Sequence, residues 1–261
     1  MSFFCKKKGT QYLNKQDMSA NGRHEERNVA DAVLGNPDLR RHIFAIKYER
    51  SNRDIREAVP HWIWNPEYAE MEYGHISRWN VSKVTSMRQL FHPSIYLYSD
   101  VCRMLSEDLG DEEEFVQLYL RKARAFNEDL SGWDVSNVTD MSEMFRGVMS
   151  FNGDIKEWDT SSVTNMKGMF QGAQSFNRDI NSWNTSKVKY MQGMFMDAIS
   201  FDGNISQWDT RNVLRMDFMF QNAQSFSGDL SRWDTSSLKS NADMFQGAEK
   251  FRGVFGRRSG L

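Results

Sequence analysis

The chain has 261 residues, of which 39% are hydrophobic and 26% are charged, and its formal net charge is −2. So balanced a charge argues against a surface that binds nucleic acid or an anionic membrane through overall charge, and no apolar run of about 18 residues is present to span a bilayer. The two cysteines, Cys5 and Cys102, are weak evidence for a disulfide, and a reducing setting is expected.

Residues 1–28 are rich in Lys, Asn, Gln and Arg and show no apolar period. Such a composition predicts a flexible arm. The lysines at positions 6 to 8 are not followed by an apolar stretch, so a secretory signal is not predicted.

Residues 29–72 are expected to form a helical N-terminal region. Pro37 fits the first position of a helix whose apolar face would be Leu39, Ile43 and Ile46. A second helix is expected over Asn52–Val59, with Asn52 as its cap and Pro60 stopping or kinking it. Pro66 is expected to open a further turn of helix.

Residues 73–96 form a divergent copy of a repeat that dominates the rest of the chain. The residues that keep the later spacing are Ile76, Trp79, Val84, Met87, Leu90 and Phe91. Residues 97–125 follow, with the acidic stretch Asp108–Glu114 and then apolar residues at helical spacing. We expect this segment to replace one repeat with a helical insertion that projects from the array or caps it.

Five copies of the 25-residue repeat fill residues 126–250, and a truncated copy occupies 251–261. A tryptophan and a Met-Phe pair recur in every full copy. The tryptophans are Trp133, Trp158, Trp183, Trp208 and Trp233. The pairs are Met144-Phe145, Met169-Phe170, Met194-Phe195, Met219-Phe220 and Met244-Phe245. A fixed period without insertions is typical of a solenoid, an architecture that presents surfaces for binding.

A single copy is too small to fold alone. In residues 151–175 the inward set is Phe151, Ile155, Trp158, Val163, Met166, Met169, Phe170 and Ala173. Burying these side chains yields roughly 10–20 kcal/mol, whereas ordering the copy costs about 1.5 kcal/mol per residue. Neighbouring copies must therefore cover both faces of each one, and the Trp and Phe columns become continuous ladders.

Within this copy, Asn152–Trp158 is extended in character, and Asp159, Thr160 and Ser161 supply turn chemistry. The later apolar residues recur at intervals of three and four, which indicates a short strand leading into a helical turn. Gly172 is placed to end that turn in a left-handed conformation. The predicted coil is therefore strand, turn, short strand and helical turn.

The sequence of residues 151–175, FNGDIKEWDTSSVTNMKGMFQGAQS, closely resembles the repeat of the BspA-like leucine-rich-repeat surface proteins, in the branch first noted in mycoplasma surface proteins. Residues Tyr73–Trp79 resemble the usual first repeat of that family, and the resemblance covers about residues 73–91 and 126–255. It implies an α/β, leucine-rich-repeat-like solenoid of about six to seven coils. It also implies a role in adhesion or protein binding, without family-wide catalytic residues.

The location that the resemblance implies differs from what the chain itself indicates. Many members of that family are secreted or anchored on cell surfaces, whereas this chain has no visible signal or lipid-anchor motif. Similar repeats also occur in intracellular and viral proteins of algae and other protists. We therefore expect an intracellular or virion-associated location in preference to the cell surface.

Two columns of carboxylates and amides run through the copies. The first column is Asp129, Asp154, Asp179, Asn204 and Asp229. The second column is Asp134, Asp159, Asn184, Asp209 and Asp234. Stacked carboxylates suit Ca²⁺, but the glycine-rich nonapeptide of calcium-binding β-rolls is absent and Asn replaces Asp in both columns. We interpret these side chains as acceptors for backbone N–H groups at turns, and we predict no metal and no cofactor.

No catalytic motif is visible in the chain. The five histidines are scattered, without a metal-ligand pair four residues apart; they are His24, His42, His61, His75 and His92. Neither His-Glu-x-x-His, nor Gly-x-Ser-x-Gly, nor a phosphate-binding glycine loop occurs. We expect a protein that is not an enzyme.

Specific binding should use positions that vary while the repeat frame stays fixed. In the second half of the copies, the large residues at otherwise small or polar positions are Tyr190, Met196, Arg215 and Phe218. In the extended half the varying residues include Lys156, Gln207 and Arg232. We predict that these seven residues contact a protein partner; surface drift without function is the alternative interpretation.

The function expected from these patterns is a non-catalytic protein-interaction scaffold. One alternative is a structural subunit of a larger assembly such as a viral particle, in which the arm 1–28 and the insertion 97–125 tie neighbours together. A second alternative is an F-box-like substrate adaptor, because residues Val29–Ile46 faintly resemble the start of an F-box.

Overall fold

A computed structural model describes residues 48–97 and 112–257, all within the unit Lys47–Leu261. In chain order the described elements are helix α1 (Ile55–Trp64), helix α2 (Pro66–Tyr73), a 3₁₀ turn (Ile76–Arg78), helix α3 (Glu112–Arg124), strand β1 (Leu230–Asp234) and strand β2 (Phe255–Arg257). Within these ranges, no helix has the length and apolar content needed to cross a bilayer. The predicted arm at 1–28 and the predicted helix that begins at Pro37 lie outside the described residues.

Helix α1 begins and ends later than its sequence pattern predicts. The start predicted at Asn52 is wrong, because α1 begins at Ile55, and of the two roles predicted for Pro60 the stop is wrong, because the helix contains Pro60. Asn52 is not its cap; its Oδ1 accepts a hydrogen bond from the backbone N–H of Thr85 at 2.9 Å. The helix continues past Pro60, although proline removes a backbone N–H, because its later turns bury Trp62.

Helix α2 has the start that the sequence predicts. Pro66 lies in its first turn, and Oδ1 of Asn65 accepts from the backbone N–H of Tyr68 at 3.1 Å, which caps the helix. Gly74 ends the helix with φ of +74°. A Cβ at this position would lie 2.1 Å from Cε1 of Tyr48, so only glycine fits against that ring.

The successive 25-residue copies, called coils below, lie on one another in register. Parallel β-bridges join equivalent positions of neighbouring coils: Ser86↔Asp140, Asp140↔Asn165, Asn165↔Tyr190, Tyr190↔Arg215 and Arg215↔Ser240. The rings of Trp158 and Trp183 stack with centroids 6.4 Å apart and planes within 5°. Trp79 stacks on Trp133 at 6.3 Å. The divergent copy is therefore the direct neighbour of the first regular coil, so the expectation that residues 97–125 replace a coil is wrong.

The path of each coil differs from the predicted strand, turn, short strand and helical turn. Residues 126–229, all of them described, form β-turns and single bridges and contain neither a helix nor a strand. In the second half of one coil, the N–H groups of Met169, Gln171 and Ala173 bond to the carbonyl three residues back. The alternate N–H groups donate to the next coil at 2.7–2.9 Å; they are those of Met166, Gly168, Phe170 and Gly172. A helical turn does not form because these donors are used between coils.

A column of left-handed residues shapes these turns. Gly172 has φ of +70°, and Gly147 and Gly247 have +74° at the equivalent position. Asp197 and Asn222 occupy it with φ of +59° and +57°; such short polar side chains tolerate this conformation better than most. The predicted left-handed conformation of Gly172 is confirmed, although it lies within a series of turns and does not end a helix.

Within residues 126–250 each indole N–H is satisfied by the coil before it. The hydrogen bonds, of 2.9–3.1 Å, run to backbone carbonyls from Trp133 to Ile76, Trp158 to Leu130, Trp183 to Ile155, Trp208 to Ile180 and Trp233 to Ile205. Stacked aromatic pairs contribute about 0.5–1.5 kcal/mol beyond burial. The tryptophan column therefore joins neighbouring coils through both ring stacking and hydrogen bonds.

The N-terminal end of the stack is closed by residues 48–50. The backbone of Asn80 donates to the carbonyl of Tyr48 at 2.7 Å and accepts from the N–H of Arg50 at 2.8 Å. The buried guanidinium of Arg50 lies 5.2 Å over the ring of Trp79 and pairs with Asp54. These contacts cover Trp79, the first tryptophan of the ladder, on its N-terminal side.

Helix α3 makes up most of the described part of the 97–125 segment, and it packs on α1. The ring of Phe115 lies 4.7 Å from that of Trp64, and Nζ of Lys122 donates to the carbonyl of Trp64 at 2.6 Å. At the other end of the stack, β2 pairs in parallel with β1. The ring of Phe251 stacks at 4.1 Å on Phe245 of the last full coil.

Candidate interaction surface

Four of the predicted contact residues lie on two adjacent segments of the stack, 190–197 and 215–222. Backbone hydrogen bonds hold these segments together: the N–H of Met191 donates to the carbonyl of Arg215 at 3.0 Å, and that of Gly193 to Asp217 at 2.8 Å. The four residues are Tyr190, Met196, Arg215 and Phe218, and together they are called the lateral surface below. The rigid frame of paired coils positions all four.

Two aromatic side chains of the lateral surface are exposed. Tyr190 and Phe218 are each 40% exposed, whereas their chain neighbours Met191 and Met219 are fully buried. The frame thus hides its repeating apolar residues and leaves these two variable rings accessible. Large aromatic side chains held on a rigid backbone are frequent anchors of protein interfaces.

Phe218 has a strained backbone as well as an exposed ring. Its φ is +59°, at a position where Gly168 and Gly193 have +59° and +58° and the polar residues Gln89, Glu143 and Asp243 have +51° to +58°. A left-handed conformation costs a residue with a side chain roughly 1–2 kcal/mol, and strain of this kind concentrates at functional positions. A large aromatic residue therefore stands at a backbone conformation that only glycine adopts without strain.

Met196 lies beside the glycine that precedes Phe218 in the stack. A Cβ on Gly193 would be 3.8 Å from Cβ and 4.0 Å from Sδ of Met196, so the thioether lies over this glycine. Nε2 of Gln171 donates to that sulfur at 3.4 Å. Methionine adapts its shape to irregular partners, so Met196 adds a deformable apolar contact to the two rings.

Arg215 is anchored through its neighbour Asp217. Nε of Arg215 donates to Oδ2 of Asp217 at 3.0 Å, and the hydroxyl of Ser240 in the next coil donates to the other carboxylate oxygen. Burial acts to raise the pKa of Asp217, but the hydrogen bonds from Ser240 and Arg215 outweigh it and hold the pKa below its usual range. The carboxylate therefore stays charged and orients the half-exposed guanidinium.

The other three predicted contact residues lie on the extended half of the coils and do not join the lateral surface. Lys156, Gln207 and Arg232 are all exposed. Nη1 of Arg232 donates to Oε1 of Gln207 at 3.4 Å, and both line an open depression of about 360 Å³. Lys156 lies two coils before Gln207 along the chain. The sequence prediction thus combined two distinct sets of residues.

The two polar columns make turn hydrogen bonds, as interpreted from the sequence. In the first column, Oδ1 of Asp129, Asp154, Asp179, Asn204 and Asp229 accepts from the N–H two residues later at 2.9–3.2 Å. In the second column, Oδ1 of Asp134, Asp159, Asn184, Asp209 and Asp234 does the same at 2.8–3.2 Å. Hydrogen bonds from Ser131 lower the pKa of Asp129, and those from Ser161 lower the pKa of Asp159.

A third polar column links coils directly, and our sequence interpretation missed it. The side-chain oxygen of one coil accepts from the backbone N–H of the next at 2.8–3.0 Å, in the pairs Asn127–Asn152, Asn152–Asn177, Asn177–Asp202 and Asp202–Ser227. The signal was present as a polar residue directly after the first Phe of every full copy. It was missed because the same composition also fits an exposed turn.

The described histidines are held by local hydrogen bonds. Nδ1 of His61 lies 2.7 Å from the carbonyl of Glu57, and Nδ1 of His75 lies 2.8 Å from the hydroxyl of Ser77. Nδ1 of His92 accepts from the N–H of Ser94 at 3.2 Å. Across residues 48–97 and 112–257, His, Cys, Asp and Glu side chains form no group of three that could hold a metal ion.

A comparison with protein-family models matched one family, described as "Mycoplasma protein of unknown function, DUF285". The matches cover residues 67–158, 113–206 and 187–257, which together span almost three quarters of the chain. Their three overlapping placements follow the internal repeat. A search of curated proteins and a search of solved structures found no match.

Proposed function

The chain belongs to the family described as "Mycoplasma protein of unknown function, DUF285", and we propose that it is a non-catalytic scaffold that binds a protein partner through the lateral surface. Within that family we place it with the BspA-like leucine-rich-repeat proteins. The proposal includes an α/β solenoid of about six to seven coils over residues 73–261, behind a helical region at 29–72 and an arm at 1–28. It also includes an intracellular or virion-associated location.

The observation that carries this proposal is the conformation of Phe218. Phe218 holds a 40% exposed phenyl ring at φ of +59°, in a column whose other members are glycine or the polar residues Gln89, Glu143 and Asp243, and a side chain adopts this conformation only at a cost. Exposed Tyr190 and the oriented guanidinium of Arg215 lie on the same two paired segments and add residue types that dominate interface energetics. A role in binding gives a reason to keep such a residue.

The test replaces lateral residues by those found at the same position in sister coils, so that the coil frame accepts every change. The variant combines Tyr190→Asn, Arg215→Asn and Phe218→Gly, and the matched control is Lys156→Ser on the extended half. Both chains are used for affinity capture with crosslinking mass spectrometry from native material. We expect the control to retain the captured protein and the triple variant to lose it. Equal capture by both chains would contradict the lateral surface.

Two other functions remain as alternative proposals. A structural subunit of a larger assembly would use the arm 1–28 and the insertion 97–125, and it predicts higher oligomers in light scattering of the purified chain. An F-box-like adaptor would use residues Val29–Ile46, which lie outside the described residues. That alternative predicts capture of a ubiquitin-ligase linker protein, which the scaffold proposal does not.

A further inference from the structure

Charge is segregated between the two halves of the three central coils, residues 151–225. The extended half of each coil runs from its first Phe to the residue after its Trp, as in 151–159. Over these three coils the extended halves hold six acidic residues and two basic ones, whereas the second halves hold five basic residues and two acidic ones. All four residues of the lateral surface belong to second halves. The lateral surface therefore lies on the positively charged side of these coils.

The basic side chains on this side face solvent. The side chain of Lys167 is 57% exposed and that of Arg215 is 53% exposed. Lys189 and Lys239 are exposed as well, and neither forms an ion pair with any residue of 48–97 or 112–257. Lys189 directly precedes Tyr190, and a β-bridge joins Arg215 to Tyr190. Two of these cations are therefore direct neighbours of an exposed aromatic residue.

The carboxylates closest to these cations are covered. The side chain of Glu143 is 11% exposed and forms an ion pair with Arg146. The side chain of Asp217 is 6% exposed and binds Arg215 and Ser240. The other acidic residues on this side are Asp140 and Asp197, which are half-buried, and Asp243 of the fifth coil, which is exposed. Over the three central coils, the charge presented to solvent beside the lateral surface is therefore positive.

Apolar and cationic groups are close together on the lateral surface. Arg215 lies one coil after Tyr190 and three residues before Phe218, and neighbouring coils are about 4.8 Å apart. The two rings are each 40% exposed, and the thioether of Met196 lies on the same paired segments. An occupant that covers the rings must therefore place negative charge only a few residues away from its apolar side chains.

Neither a second copy of the chain nor a nucleic acid meets both requirements. The extended halves of a second copy would supply carboxylates, but within residues 126–250 they carry none of the exposed large apolar side chains. Four exposed cations on a chain with a net charge of −2 give only weak binding to a phosphate backbone. Charge complementarity, together with the two exposed rings, therefore favours an acidic segment of another protein.

We propose that the lateral surface binds an acidic segment of its partner, in which an aromatic or aliphatic side chain lies among carboxylates. The apolar side chain contacts Tyr190 and Phe218, and the carboxylates face Lys167, Lys189 and Arg215. Because exposed Asp243 follows Phe218 in the stack, the carboxylates lie toward the second and third coils. This inference rests on the proposed function, since it specifies the kind of segment that the lateral surface binds.

The test begins with a phage-displayed library of random peptides of about twelve residues, selected for binding to the full chain. We expect the selected peptides to be enriched in Asp and Glu, to contain an aromatic or aliphatic residue, and to lose binding to the variant with Tyr190→Asn, Arg215→Asn and Phe218→Gly. Peptides that need the lateral surface but lack this enrichment would overturn the inference and leave the proposed function standing. Peptides that bind the triple variant equally well would overturn both. A selection that yields no binder would overturn the inference alone, because a short segment would then not suffice.

Affinity for the tightest selected peptide is then measured with charge variants that use residues of sister coils. Lys167→Gln combined with Lys189→Thr should weaken binding about tenfold at low ionic strength, and the effect should diminish as salt is added. Lys156→Ser combined with Arg178→Gly removes the same charge from the extended halves and should change affinity by less than about twofold. Melting curves confirm that both variants fold. Equal effects of the two variants, tighter binding of a single-stranded RNA, or a dimer that the lateral variant abolishes would overturn the inference.

Discussion

The indole N–H of Trp183 donates to the carbonyl of Ile155, 28 residues earlier, at 3.0 Å. Because the same bond recurs in every coil, each tryptophan both fills the core and satisfies a buried carbonyl of its neighbour. The repeated tryptophan is therefore required for its N–H as well as for its ring. This relationship explains why another aromatic residue does not replace it in any full copy.

Trp183→Phe tests the importance of that N–H. The substitution leaves the carbonyl of Ile155 buried without its donor and opens a small cavity, so we expect a loss of about 2–4 kcal/mol in the free energy of unfolding. Chemical denaturation measures the change. Tyr190→Phe, at a 40% exposed position, is the control and should change stability by less than about 0.5 kcal/mol. A similar small effect for Trp183→Phe would contradict the role of the hydrogen bond.

Phe218→Gly should be more stable than Phe218→Ala. Both substitutions lose the covered part of a ring that is 40% exposed, but only glycine relieves the left-handed φ of +59°, so the free energy of unfolding of the glycine variant should be higher by about 1 kcal/mol. Thermal melting of both variants gives the comparison. Equal stabilities would show that the backbone is not strained at this position and would remove the argument that Phe218 is kept for binding.

Gly74→Ala should be strongly destabilising. The new Cβ would lie 2.1 Å from Cε1 of Tyr48, at φ of +74°, so we expect a loss of at least about 2 kcal/mol. Gly132→Ala is the matched control, because its nearest neighbour, the carbonyl oxygen of Ser77, is 3.4 Å away. Denaturant unfolding of the two variants should differ clearly. Equal stabilities would mean that Tyr48 does not pack on Gly74 in solution.

The carboxylate of Asp217 should make the free energy of unfolding depend on pH in the acidic range. Its pKa in the folded chain lies below the ordinary value of 3.8 because the bonds from Ser240 and Arg215 outweigh burial. A carboxyl group whose pKa is lower in the folded than in the unfolded chain stabilises the fold at pH values above its unfolded pKa. This stabilisation is lost as the pH falls through the folded pKa. Asp217→Asn should therefore cost about 1–2 kcal/mol at pH 7 and flatten the loss of stability below about pH 4.

The control for that measurement is Asp154→Asn, because Asn204 occupies the same position of a sister coil and makes the same turn hydrogen bond. Denaturant midpoints are compared between pH 7 and pH 2 for both variants and the parent chain. An acid profile of Asp217→Asn parallel to that of the parent would mean that this carboxylate does not contribute.

The repeat itself allowed much of the fold to be predicted. Columns such as Trp158 and Trp183 identified the buried ladder, and Asp129 and Asp159 identified the turn acceptors, because each depends on residue type and period alone. Gly172 was assigned its left-handed conformation for the same reason. These features are local or repeat identically, so the sequence specifies them without knowledge of distant contacts.

Other features depend on contacts that the period does not encode. Helix α1 continues past Pro60 because Trp62 is buried. Asn52 does not cap the helix because its side chain binds the backbone of Thr85 in the divergent copy. Likewise, the alternation of N–H groups between turns and neighbouring coils depends on the position of the next coil. Tyr190 and Phe218 lie on one half of the coil and Lys156 on the other, and this division becomes visible only when the positions of the two halves are known.

The in-register stack is tested most directly by one distance between spin labels on equivalent positions four coils apart. The labels are placed by Gly132→Cys and Arg232→Cys, in a chain whose Cys5 and Cys102 are changed to serine, and pulsed electron resonance measures their separation. Four parallel steps of about 4.8 Å predict a narrow distribution near about 20 Å. A broad distribution centred beyond about 30 Å would contradict the stack.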